Sequence, residues 1–122
     1  ALEALAHYDS ARLVHGEGVA IGIAQAMRFS AALGHMPQQD AERVETHLRD
    51  VGLPTRVSDA PGLAGDDAIN ADSILAAMYQ DKKVRHGALT FILARGIGQS
   101  FIAKGVDPAD VRAFLEAELS AA

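Results

Sequence analysis

The stretch Leu13-Val14-His15-Gly16-Glu17-Gly18-Val19-Ala20-Ile21-Gly22-Ile23 decides how the rest of the chain is read. From about His15 to Leu33, the residues Val19, Ile23, Ala26, Met27, Ser30 and Leu33 recur at helical spacing. Ala20, Ile21 and Ala24 carry the apolar surface beyond a single stripe, so the spacing predicts a long helix that is mostly buried. Gly18 and Gly22 stand four residues apart on one face, where a second helix could cross closely. A buried helix start presents unpaired backbone N–H groups and the positive end of the helix dipole, which suits an anion, or a metal with its substrate. His15 and Glu17 occupy that start.

Working outward, residues 1–7 have helical composition with Leu2 and Leu5 on one side, and no capping residue precedes them. They read as the tail of a helix that begins further upstream, and an alanine at position 1 fits a natural chain that extends in that direction. Tyr8-Asp9-Ser10 interrupts the pattern. Gly34 ends the central helix in the usual C-terminal position. After Pro37, a second helix is predicted over Gln39 to Val51, with Val44, His47, Leu48 and Val51 inward and its charged residues outward. Gly52-Leu53-Pro54 stops it.

Thr55 to Asp67, with Pro61, Gly62 and Gly65, reads as an exposed loop. Asn70 caps a third helix over Ala71 to Lys82. Ala88 to Leu93 and Gln99 to Ala103, separated by Gly96 and Gly98, form a predicted β-hairpin. Asp107-Pro108 opens a last helix carrying Val111, Phe114, Leu115 and Leu119. The expected fold is mainly α: four to five helices with one short hairpin, in a single domain over residues 1–122.

Composition narrows the function. The 122 residues include 49% hydrophobic and 22% charged side chains, an ordinary globular balance, and only 5% aromatic, which with abundant alanine favours closely packed helices. The formal net charge is −5 and the basic residues are scattered, so the footprint of a nucleic-acid binder is missing. The absence of cysteine excludes disulfides, thiolate metal sites and cysteine nucleophiles, and is compatible with a reducing cytoplasm. No apolar run approaches the roughly 20 residues needed to span a bilayer. The first residues, with no basic start, do not read as a signal peptide. Neither a membrane nor a nucleic acid is an expected partner.

Five histidines together with Asp and Glu side chains leave a His/carboxylate metal site as the inorganic option. No HExxH-type pair is present, so a metal here would need ligands from other parts of a larger protein. On the residues alone His15 is either a ligand or a capping, core-edge histidine. Glu17 either orients it or simply occupies a favourable first turn. Lys82 and Lys83 either complement a helix C-terminus or reach a phosphate as point charges. His7, His35, His47 and His86 read as surface or capping residues.

Taken in order, Ala1-Leu2-Glu3-Ala4-Leu5, the His-Gly-Glu-x-Val-Ala-x-Gly run from His15 to Gly22, Leu33-Gly34, Gly52-Leu53-Pro54, Asp81-Lys82-Lys83 and Ile97-Gly98 resemble the C-terminal domain of the 3-dehydroquinate synthases. These belong to the sugar-phosphate cyclases. The resemblance implies a two-domain enzyme, with an N-terminal α/β domain that binds NAD and a mostly helical C-terminal domain carrying much of the metal and substrate site. The reaction it implies is that of a lyase of the shikimate pathway to the aromatic amino acids. A seven-carbon keto-sugar acid phosphate is converted to 3-dehydroquinate and phosphate, with NAD and zinc, or cobalt, as cofactors. It also implies a cytoplasmic homodimer.

By the same resemblance, His15 is a zinc ligand at the substrate site. A lysine of the Asp-Lys-Lys motif contacts the substrate phosphate, carried to Lys82 with Lys83 as the alternative. No residue of this chain is assigned a catalytic proton transfer or an NAD contact. The family's other zinc histidine, in a Gly-His-x-x-Gly-His pattern, and its zinc glutamate lie upstream of residue 1, so the chain by itself is expected to be inactive. Alternatives are another sugar-phosphate cyclase, a related metal-dependent dehydrogenase, and a non-catalytic helical interaction module.

Overall fold

The computed structural model describes residues 2–6, 9, 11, 13–60, 62–63, 66–79 and 89–120. The elements run α1 (Leu2–Leu5), α2 (His15–Ala32), α3 (Gln38–Asp50), a 3-10 turn (Val57–Asp59), α4 (Ala71–Tyr79), β1 (Leu89–Ala94), β2 (Ser100–Val106) and α5 (Pro108–Ser120). The mainly α architecture with one hairpin is as the sequence predicts. The 18-residue α2 is the spine, packing against α1, α3 and β1, while α4 lies on α1 and α5.

Local chemistry sets most of the element ends. At Gly34 and Gly52 the chain turns left-handed, with φ of 82° and 87°, a conformation that glycine adopts without the Cβ clash other residues meet. In each case two backbone bonds close the helix: His35 N–H to Ser30 O and Gly34 N–H to Ala31 O for α2, Leu53 N–H to Leu48 O and Gly52 N–H to Arg49 O for α3. Asn70 and Ser73 cap α4 reciprocally, each backbone N–H donating 2.9 Å to the other's side-chain oxygen. Asp107 Oδ1 accepts from Ala109 N–H at the start of α5. β1 and β2 pair antiparallel from Ala94↔Ser100 to Leu89↔Val106, with a bulge at Gly105.

The main core joins α1, α2, α4, β1 and α5, while α3 packs through a smaller cluster of Met36, Ala41 and Ala94. Ile21 and Phe29 of α2, Leu63, Ile69, Ile74, Leu89, Leu93, Val111 and Leu115 belong to a single buried cluster. Phe29 sits at its centre, edge-on to Phe91 with ring centroids 5.7 Å apart, and 4.8 Å from Phe114. Ser30 is fully buried and ties α2 to the hairpin. Its hydroxyl donates to Ala26 O at 2.7 Å and accepts from Ala94 N–H at 3.0 Å. Ser30→Ala strands that buried N–H, and urea unfolding should read a loss of about 1–3 kcal/mol. A loss below about 0.5 kcal/mol would show that Ala94 N–H has another acceptor.

The structure departs from the sequence pattern in several places. The described residues of the 55–67 stretch are not an exposed loop, because Thr55, Val57, Ala60 and Leu63 are buried and a 3-10 turn forms at Val57–Asp59. On α3 the inward residues are Ala41 and half-buried Val44, Glu45 and Leu48, whereas His47 and Val51 face solvent. On α2 the buried positions are Ala20, Ile21, Ala24, Phe29 and Ser30, and Val19 and Ile23 are exposed. A helix apolar around most of its circumference gives no phase to choose between these faces. Among the described residues, nothing crosses at Gly22, where an added Cβ would meet no atom within 4 Å.

A polar assembly missed in the sequence joins three of the elements. Arg28 of α2, with its side chain 12% exposed, donates through Nε and Nη2 to Glu118 of α5, 8% exposed, and through Nη2 to Thr55 O at 2.7 Å. Arg56 adds a 3.2 Å bond to the other side of Glu118, and Glu45 of α3 lies 3.4 Å from Arg28 Nη1. Two cations and two carboxylates therefore compensate each other in a region shielded from water. Arg28 continues the face of Ile21 and Ala24 at i+7 and i+4, and Glu118 follows Leu115 by three. Charged residues at buried helical phases were the available signal.

Candidate functional site

His15 is the first residue of α2, and the chain enters it in extended backbone at Val14, with φ −72° and ψ 143°. Leu13 is buried and anchors the approach, so its neighbours Val14, His15 and Gly16 are turned to the surface. The helix mouth is thus open, not buried as the apolar run predicts. An added Cβ at Gly16 would meet nothing within 4 Å, so the space over that backbone position is open.

Glu17 makes a contact within the first turn of α2. Its Oε1 accepts from Val14 N–H at 2.9 Å, and Glu17 N–H and Gly18 N–H both return to Val14 O. The carboxylate is therefore a helix-cap acceptor, bonded to a backbone donor at the start of α2. His35, exposed, closes the far end of α2 and lies edge-on to Phe101 at 5.1 Å, in agreement with a capping role, while exposed His47 is a surface residue. Lys82, Lys83, His7 and His86 lie outside the described residues.

An imidazole nitrogen is a suitable zinc donor, and position 15 presents an imidazole at an open helix start. Among the described residues no three His, Asp or Glu side chains converge on a point that could hold a metal. The fit is that of a single donor completing a set from elsewhere. No helix of the described residues is long and apolar enough to cross a membrane.

Beside His15, the exposed side of α2 runs on through Val19, Gly22 and Ile23 to a groove of about 410 Å³ closed on its far side by Ile92 of β1. The sequence reading placed Val19 and Ile23 in the core, and nothing local in the pattern separates them from Ile21.

Comparison with known proteins bears directly on this stretch. The 3-dehydroquinate synthase of Mesorhizobium japonicum is 61% identical over 115 residues, 94% of this chain and 29% of its own length. That of Brucella anthropi is 58% identical over 119 residues, 98% of this chain and 30% of its own. That of Rhodopseudomonas palustris is 53% identical over all 122 residues, 32% of its own length. The chain thus spans about 30% of the relatives it matches. Residues 1–84, from α1 past the Asp81-Lys82-Lys83 motif, match the family model described as 3-dehydroquinate synthase C-terminal, and on that match the chain belongs to this family.

Proposed function

We propose that this chain is the metal- and substrate-holding C-terminal part of a 3-dehydroquinate synthase. The full-length protein would convert 3-deoxy-D-arabino-heptulosonate 7-phosphate to 3-dehydroquinate and phosphate in the shikimate pathway. The observation that carries the reading is His15, in its His-Gly-Glu setting, exposed at the open start of α2 in a chain 53–61% identical to proteins of that name.

In this reading His15 donates one nitrogen to zinc, with cobalt as the alternative ion, and the remaining ligands and the NAD contacts come from an N-terminal domain of the same polypeptide. Bound zinc supplies Lewis acidity at a substrate oxygen and NAD a reversible hydride acceptor. Glu17 holds the backbone at Val14 and so fixes where the imidazole emerges. Gly16 keeps the approach clear of side-chain atoms. Lys82, or Lys83 beside it, offsets the charge of the substrate phosphate. The working form is a cytoplasmic homodimer.

Full-length protein supplied with the heptulosonate phosphate, NAD and zinc is expected to release inorganic phosphate and form 3-dehydroquinate, while residues 1–122 alone do neither. A different cyclic product would assign the protein to another sugar-phosphate cyclase. Turnover by the isolated chain would overturn the division of ligands.

A further inference from the structure

The exposed stripe of α2 is out of place on a free surface. Single exposed aliphatic residues are normal, but a contiguous apolar patch marks an interaction surface. Val19 and Ile23 face solvent, and next to them the hairpin presents the directly paired Ile92 and Ile102, 59% and 61% exposed. Among the described residues, the groove between helix and hairpin has no charged side chain in its walls. Gly22 lies in its floor with open space above, so a backbone could approach α2 closely there.

The position of the patch names its occupant. Residues 15, 19, 22, 23 and 26 share one helical face, so the apolar stripe begins at His15 and runs continuously away from it. Whatever polypeptide brings further ligands to His15 must lie over the first turn of this face, and the next turns are the apolar ones. The relatives are about three times the length of this chain, and the family match is to their C-terminal part, so the additional polypeptide precedes residue 1.

We infer that the face formed by Val19, Gly22, Ile23, Ile92 and Ile102 is the seat of the polypeptide that precedes residue 1 in the full-length protein, packed along α2 from His15 onward. The inference rests on the proposed function in requiring that upstream polypeptide; the ligand role of His15 adds a reason for its placement, and the exposed apolar face stands without it. Seating it buries the four aliphatic side chains and fixes the upstream ligands relative to His15, so docking and assembly of the metal site are one event.

The test is a photo-cross-link in the full-length protein. Ile92→Cys, in a background without other cysteines, is labelled with benzophenone maleimide and irradiated. Ile102→Cys serves as an independent probe if the first variant does not fold, and Glu116→Cys, on the exposed side of α5, is the control. The expected result is a product of monomer mass whose digest joins the peptide around position 92 to one from upstream of residue 1. The control should give no such product. A product of twice the monomer mass would assign the face to a second copy and overturn the inference, as would cross-links confined to residues 1–122 or none above the control. An upstream cross-link in a protein whose zinc and turnover survive His15→Ala would overturn the proposed function and leave this inference standing.

Discussion

Replacing His15 by alanine in the full-length protein is expected to abolish stoichiometric zinc binding and to lower turnover by more than about 100-fold, since even the outer partners of a metal ligand are worth 10–100-fold. The side chain stands at the exposed start of α2 and contributes little to the core, so the folded state should survive the change. Metal analysis of the purified variant and a steady-state assay are the measurements. Glu17→Ala separates the two roles once open to that carboxylate. It removes the acceptor for Val14 N–H and should cost about 1 kcal/mol of stability while zinc is retained, because Glu17 acts as a cap. Zinc retained after His15→Ala would remove the basis for the metal assignment, and zinc lost equally in both variants would show that Glu17 positions the imidazole as well as capping the helix.

The second large effect lies in the Arg28–Glu118 assembly. Glu118→Ala leaves the Arg28 guanidinium, 12% exposed, with Glu45 alone as a carboxylate partner at 3.4 Å, and also strips Arg56 of its 3.2 Å bond. Removing one member of a shielded ion pair costs about 3–5 kcal/mol, because the desolvation of the remaining charge is no longer offset. Against a total stability of about 5–15 kcal/mol, that is a large fraction, and the midpoint of urea unfolding should fall accordingly. Pairing Arg28→Met with Glu118→Leu should recover much of the loss, since neither charge is then buried alone. Glu42→Ala, on the exposed side of α3, should change stability by less than about 0.5 kcal/mol. A Glu118→Ala cost as small as that of Glu42→Ala would show that the assembly is structurally incidental.

Much of the candidate site was legible as a motif: His15 in its His-Gly-Glu context led to the family that the comparisons show. The surroundings of the motif were less so. The predicted buried helix mouth is open, and Glu17, for which the residues allowed two roles, holds the backbone of Val14. Both outcomes depend on what lies over the first turn of α2, and spacing along the chain carries no record of that.

What the sequence determined by itself is the helices, the hairpin and those of their ends that local caps set. Asn70, Asp107, Gly34 and Gly52 act on backbone groups within about one helical turn, so their effect is encoded beside them. The hairpin and the mainly α class follow from equally local patterns. Only the tertiary structure decided which side of α2 is buried, that Thr55 to Leu63 folds inward, and that Ser30 meets Ala94 and Arg28 meets Glu118 across 64 and 90 residues of chain. The physical reason is that a helix apolar on most sides satisfies several burial phases equally. The choice among them then falls to partners distant in sequence, whose charges and unpaired N–H groups must be met somewhere in the core.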